Sequence, residues 1–280
     1  MRSHGGRRGG YEVRPFPWFR RLVVDAGRAG SHRHSTYGLI EVDITDARVR
    51  MRELHESTGE RVSMTAWLTT CLARTIAEDR SVQAFRDIFG RLVVFDDVDV
   101  NVIVETTVPG QPFPMNHVVR GVDRRDVHDV QRELRRVKEE PSLSPSMRLV
   151  RGARMFAALP GFVRGPLLRA APRFPKTYKE LLGTTGVTAV GMFGAGGGWG
   201  ITFQTHSLNL LVGGISRRPR VEDTRVVERE YLALTLMVDH DIVDGAPAAR
   251  FAARLRARIE AAEGLDPQTS PNDPSLSTDR

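Results

Sequence analysis

The sequence predicts an α+β fold, because two apolar periodicities share one chain in an irregular order. Near-continuous or alternating apolar runs mark strands at 37–42, 98–106, 115–120, 208–215 and 231–238. Apolar residues at spacings of three and four mark helices at 45–57, 64–77 and 123–139, and again from Ala248 through Phe251, Leu255 and Ile259. With 280 residues and 40% hydrophobic content, the chain can bury a substantial core in one large domain or two small ones.

Residues 1–34 are rich in Gly, Arg and His. They are expected to be irregular, with a short helix near 17–24. His32 and His34 form H-x-H beside arginines, but no acid or cysteine supports a metal there, so a solvated loop is the better reading. A strand at 37–42 leads to a helix at 45–57 with Val49 and Leu54 turned inward. Thr58-Gly59-Glu60 separates it from the helix at 64–77, for which Ser63 is the N-cap. Cys71 falls on the apolar pattern of that helix and reads as a buried thiol. A single cysteine builds no intramolecular disulfide, and a reducing cytoplasm fits.

Residues 91–95 and 98–106 read as paired strands with Asp96 and Asp97 at the turn. Pro109-Gly110-Gln111-Pro112 breaks the chain before the strand at 115–120. The charged helix at 123–139 carries Val127, Val130, Leu134 and Val137 at helical spacing. Between 142 and 182 the net charge is +7, and between 1 and 34 it is +6, so two local segments hold the basic character of a chain whose total is +7. A helix is expected at 147–159, and Pro160-Gly161, Gly165-Pro166 and Pro172 should interrupt the chain beyond it. Apolar residues interleaved with arginine suit an interfacial surface, an added cover on a site, or a solvated basic face. An anionic lipid or an acidic protein is the partner such a segment would take, with a peripheral place at a membrane surface. No familiar nucleic-acid module is present and no apolar run of 18 residues occurs.

Gly194 to Gly200 is glycine-dense but matches no phosphate-binding pattern and reads as a hairpin-like connection. His206 and His117 read as structural histidines, His117 without a named partner. The strand at 208–215 turns through a hairpin at 217–223 into a second arm at 225–231. That arm leads into a strand where Leu232, Leu234 and Leu236 alternate with Ala233, Thr235 and Met237. The strand ends near Val238 in a polar turn, Asp239-His240-Asp241, closed by Asp244-Gly245 before the last helix. A histidine leaving a rigid strand at such a turn is placed to act as a general base. The tail 265–280 has almost no apolar residues and is expected to be disordered.

His240-Asp241-Ile242-Val243-Asp244-Gly245 reads H-x-x-x-D-G. With Asp239 before it and an Ala-rich helix after it, this resembles the catalytic motif of the dihydrolipoamide acyltransferases of 2-oxo acid dehydrogenase complexes. The motif is shared with chloramphenicol acetyltransferase. The likeness runs loosely over 37–139 and more tightly over 186–260. It implies a chloramphenicol acetyltransferase-like two-layer sandwich of a mixed sheet with flanking helices. The domain would span 35–264, with 142–182 as an insertion longer than the family connection.

By the same resemblance, His240 is the base and Asp244 a structural support held in an ion pair. Gly186 to Gly194 is similar to the family's oxyanion stretch, which places Thr188 at the hydroxyl position, or Thr184 or Thr185 if the match slips. Two positions depart from the family: Asp241 stands where arginine is usual, and Ala189 where asparagine is usual. The implied substrate is a coenzyme A or lipoyl thioester, with no covalent lipoyl group on this chain and no metal. The implied assembly is a homotrimer or a multiple of trimers, served by a lipoyl-bearing protein in trans or by freely diffusing CoA. A non-catalytic trimeric scaffold of the same fold is the alternative.

Overall fold

In a computed structural model, residues 7–8, 11–108, 111–143, 145–190 and 196–266 are described. The chain begins with a two-residue pairing of β1 (Arg7–Arg8) and β2 (Tyr11–Glu12). The segment expected to be mostly irregular then forms a full helix, α1 (Trp18–Gly30). Its length comes from packing: Asp25 is buried against Arg164, which ties α1 to the helical segment 142–182. β3 (Ser35–Asp43) and α2 (Thr45–Thr58) come next, and Gly59 closes α2 in the left-handed region at φ 73°. On α2 the inward stripe is Ala47, Met51 and Leu54, while Val49 is exposed, contrary to expectation. α3 (Met64–Glu78) is the most buried helix, and its N-cap is the expected Ser63, whose hydroxyl accepts from Ala66 N at 3.2 Å.

β4 (Phe85–Arg86) pairs with β5 (Leu92–Val93), so the expected pairing of 91–95 with the next strand does not form. That next strand, β6 (Val100–Val108), instead makes a hairpin with β7 (Gln111–Val119). The break expected through Pro112 is correspondingly shorter. Pro112 and Pro114 are tolerated because β7 is an edge strand, where missing N–H donors leave no ladder bond unmade. α4 (Val127–Glu139) is capped by Asp126 and buries all four expected apolar residues.

The segment 142–182 is helical almost throughout: α5 (Pro145–Ala158), α6 (Gly161–Ala170), a 3-10 turn at Ala171–Arg173, and α7 (Pro175–Leu182). The expected interruptions occur at Pro160, between α5 and α6, and at Pro172, in the turn between α6 and α7, whereas Gly165-Pro166 sits inside α6 and does not break it. Pro175 opens α7, where its missing N–H has no partner to lose. β8 (Thr185–Ala189), β9 (Leu208–Glu222), β10 (Arg225–Asp239) and α8 (Gly245–Glu260) complete the chain.

One mixed sheet of six strands, ordered β3-β10-β9-β8-β6-β7, organises the whole. β8 runs parallel to both its neighbours and the other pairs are antiparallel. α2, α3, α4 and α8 cover one face, and the core between them includes Trp67, Leu72, Val187, Leu210, Leu234 and Phe251. The architecture is thus α+β with a mixed sheet and flanking helices, as the sequence predicts. Leu265, expected in the disordered tail, is buried in this core and Asp266 pairs with Arg50; the rest of the tail lies outside the described residues.

Gly213 and Gly214 let the glycine-rich connection cross β9 closely. A Cβ on either would sit 2.3 Å from the carbonyl oxygen of Gly198 or Gly196. Gly214 N bonds Gly198 O at 2.9 Å, and Trp199 Nε1 reaches Ile40 O at 3.1 Å. The expected hairpin-like connection therefore lies across the sheet face away from the core helices, as far as 196–200 describes it.

Candidate active site

β10 delivers His240 to the end of the sheet, and backbone bonds fix the turn on each side. Asp239 N donates to Ser207 O at 2.9 Å, and His240 N donates to His34 O at 2.9 Å. Ile242 N and Val243 N both donate to Asp239 O at 3.0 Å, while Val243 is buried in the core. The His240 side chain itself is exposed. A rigid backbone under an accessible imidazole is what general-base chemistry needs.

The ion pair at this turn belongs to Asp239 rather than Asp244. Arg33 Nη1 lies 2.6 Å from Asp239 Oδ2 with both side chains largely buried, and Arg33 Nη2 donates to Thr205 O at 3.2 Å. Asp244 is exposed and makes no side-chain bond to another described residue. It stands at the N-cap of α8, where its carbonyl accepts from Ala248 N at 3.1 Å. Its contribution in the protomer is therefore the backbone start of α8, without the implied ion pair. In the sequence Arg33 is one arginine of a basic segment and has no site role. Its only signal there is its position just before β3.

Asp241 turns toward His34, whose Nδ1 lies 2.8 Å from its Oδ1. This hydrogen bond raises the pKa of His34 and lowers that of Asp241. His34, expected in a solvated H-x-H loop, thus holds the turn twice, by its carbonyl and by its ring. Among the described residues no group of three or more metal-ligating side chains occurs.

Thr188 lies on β8 next to core-facing Val187, so its side chain projects from the opposite face of the sheet. It is half-buried and its hydroxyl bonds to no other described residue. The alternatives are engaged. Thr184 Oγ1 donates to Asp99 O at 3.1 Å and Thr185 Oγ1 to Leu208 O at 2.7 Å, and both residues are fully buried. Thr188 is in register with Leu211, which is in register with Thr235. His240 comes five positions after Thr235 and lies two strands over, which puts the two backbones on the order of 15–20 Å apart. One protomer does not bring Thr188 and His240 together. Gly191 to Gly194, the end of the expected oxyanion stretch, lies outside the described residues.

His206 is a core residue, as expected. Its Nε2 lies 2.8 Å from Leu182 O, and burial pushes its pKa down to about 4. His117 has a partner after all, Glu133, at 2.8 Å.

A cavity of about 320 Å³ opens beside the turn. Asp239, Asp241 and Ile242 form one side of it, while Leu168, Arg169, Arg173 and Tyr178 form another. The helices of 142–182 therefore cover ground next to the turn.

Residues 177–265 match the family model of the 2-oxoacid dehydrogenases acyltransferase (catalytic domain). The match covers about a third of the chain, and over that stretch the chain is similar to the 2-oxoacid dehydrogenase acyltransferases. The matched stretch holds both Thr188 and the His240 turn. Solved structures extend the fold likeness to nearly the whole chain. A dihydrolipoamide acetyltransferase of Azotobacter vinelandii has a TM-score of 0.65 at 18% identity, covering 91% of this chain and 94% of that one. A probable dihydrolipoamide acetyltransferase of Listeria monocytogenes gives 0.63 at 17%, covering 90% and 96%. A truncated catalytic core of the 2-oxoacid dehydrogenase multienzyme complex of Thermoplasma acidophilum gives 0.61 at 19%, covering 92% and 100%. No curated protein matches the sequence. The likeness to the acyltransferase catalytic domain is confined to 177–265, and these structures show the fold.

Proposed function

We propose that this acyltransferase moves an acyl group between a CoA or lipoyl thioester and a thiol or hydroxyl acceptor. His240 is the general base and Thr188 the oxyanion donor. The observation that carries the reading is the exposed imidazole of His240 on a turn whose backbone is bonded on both sides. The ring removes the acceptor's proton as sulfur or oxygen attacks the thioester carbonyl. The tetrahedral oxygen gains negative charge and takes a hydrogen bond from the Thr188 hydroxyl, which has no partner among the described residues of its own protomer. Collapse breaks the carbon–sulfur bond, and the leaving thiolate recovers the proton from the imidazolium. An oxyanion donor of this kind is worth about 3–4 kcal/mol of barrier.

The separation of the two residues within one protomer supports a site shared between neighbours. The family resemblance points to a homotrimer for this arrangement, although a two-fold dimer would also bring each His240 to the other chain's Thr188. Rates with a panel of acyl-CoAs and small thiol or hydroxyl acceptors, wild type against His240→Ala, test the reading. The expected loss is about 10² to 10⁴; equal rates would remove it. Equal rates would leave a scaffold of the same fold, which Ala189 and the engagement of Asp241 by His34 favour.

A further inference from the structure

The cavity beside the His240 turn is lined by more basic charge than its own acids occupy. Its charged walls are Arg33, Arg86, Arg169, Arg173, Asp239 and Asp241, with His32 at the edge. Asp239 is taken by Arg33 and Asp241 by His34. Arg86 acts on Asp241 only at coulombic range, and Arg86, Arg169 and Arg173 donate no hydrogen bond to another described residue. All three are exposed. Three unpaired guanidinium groups around one concavity repel each other and offer forked donors that match phosphate or carboxylate oxygens.

Gln204 holds the backbone of the cavity wall. Gln204 is 1% exposed, and its amide nitrogen donates to Ser207 O at 3.0 Å and Met237 O at 3.3 Å. Its Oε1 has no hydrogen-bond partner among the described residues. Phe85, Leu168 and Tyr178 add apolar wall, and the volume of about 320 Å³ suits a small molecule or the end of a larger one.

We propose that this cavity binds a small anionic ligand, phosphate- or carboxylate-bearing, whose other end reaches the His240 turn. Anion binding stands apart from the acyl-transfer reading; only the direction of the ligand's other end rests on it. Arg169 lies on α6 and Arg173 on the 3-10 turn after it, so the helical segment 142–182 supplies half of the arginines.

Calorimetric titration of the full chain with inorganic pyrophosphate, and separately with glutarate, at low salt tests this. The expected result is saturable binding of at least one of them, at one per chain. Binding of pyrophosphate alone identifies a phosphate-bearing ligand, and of glutarate alone a carboxylate-bearing one. Arg169→Gln/Arg173→Gln should weaken it at least about tenfold. Arg86→Gln, on a different element, should weaken it about threefold and keeps the test open if the double variant fails to fold. Arg225→Gln, on the distant hairpin, should leave it unchanged. His240→Ala should bind as wild type whatever happens to its turnover. No saturable binding to wild type, unchanged binding in Arg86→Gln, or an equal loss in Arg225→Gln would overturn the proposal.

Discussion

Arg33 and Asp239 are 206 positions apart in the chain, yet their side chains meet at 2.6 Å beneath the His240 turn. Both are mostly withdrawn from water, at 15% and 7% side-chain exposure. Removing one partner leaves the other charged and buried, which is costlier than never having had the pair. Arg33→Met is therefore expected to destabilise the fold by about 3 kcal/mol, and Arg33→Met/Asp239→Leu by clearly less. Urea unfolding of the two singles and the double closes the cycle. A double variant as unstable as the sum of the singles would show that the pair does not act as a unit.

The Asp25–Arg164 pair makes the same argument for the helices of 142–182. Arg164 Nε lies 2.7 Å from Asp25 Oδ2, and Arg164 Nη1 also donates to the carbonyls of Ala157 and Leu159. One guanidinium thus joins α1, the end of α5 and α6. Arg164→Met should speed amide hydrogen exchange in α5 and α6 well before it alters exchange in α3, which belongs to the main core. Equal acceleration in both places would mean that α5 and α6 unfold only with the whole domain.

His34 and Asp241 make an exposed pair whose pH range has two edges. His34 is raised above 6.5, so its share is complete below that value and lost as pH rises through the folded pKa. Asp241 is lowered below 3.8, so its share is complete above that value and lost as pH falls through the folded pKa. The pair is therefore fully formed between about pH 4 and 6.5 and persists somewhat beyond each end. In an NMR titration of the His34 ring, Asp241→Asn should move its midpoint down toward 6.5. An unchanged midpoint would show that Asp241 does not hold the ring.

Cys71 lies wholly inside α3, and burial pushes its thiol up to about 12. At about pH 8 almost none is thiolate, and no reagent has a path to it. Iodoacetamide should leave the native protein unmodified for hours and label it fully in denaturant. Fast labelling of native protein would mean that α3 opens readily.

These sites differ in how much of them the sequence discloses, and the physical reason is the range of the interaction. Leu232, Leu234 and Leu236 with Gly245 announce a strand, a turn and a helix, because period and turn chemistry are local. Ser63 as a cap and the stripe of α4 are legible on the same grounds. Partner choice is not local: residues 92–93 pair with 85–86, although the nearer sequence order suggests the strand that comes after. Val49 misleads because α2 is only weakly periodic, and the stripe through Ala47, Met51 and Leu54 passes it by. Pro160 and Pro172 mark real breaks, but Pro166 misleads because α6 runs through it. Arg33 carries no motif at all. Only folding reveals that it reaches Asp239, and that the acid next to His240 is turned away toward His34.

The proposed sharing of the site between protomers makes the most specific prediction. Thr188 and Thr185 are three residues apart on one strand, but Thr185 is buried in a bond to Leu208 O while the Thr188 hydroxyl has no partner among the described residues. Thr188→Ala should lower turnover about 10²- to 10³-fold and leave stability nearly unchanged. Thr185→Val should cost about 1 kcal/mol of stability. If each site joins His240 of one protomer to Thr188 of the next, inactive variants should rescue one another. Equal amounts of His240→Ala and Thr188→Ala chains, unfolded together and reassembled at random, form an intact site about one time in four. Activity near a quarter of wild type after mixing, with none from either variant alone, would establish the shared arrangement. No recovery despite confirmed mixed oligomers would place both residues' chemistry, or its absence, within single protomers.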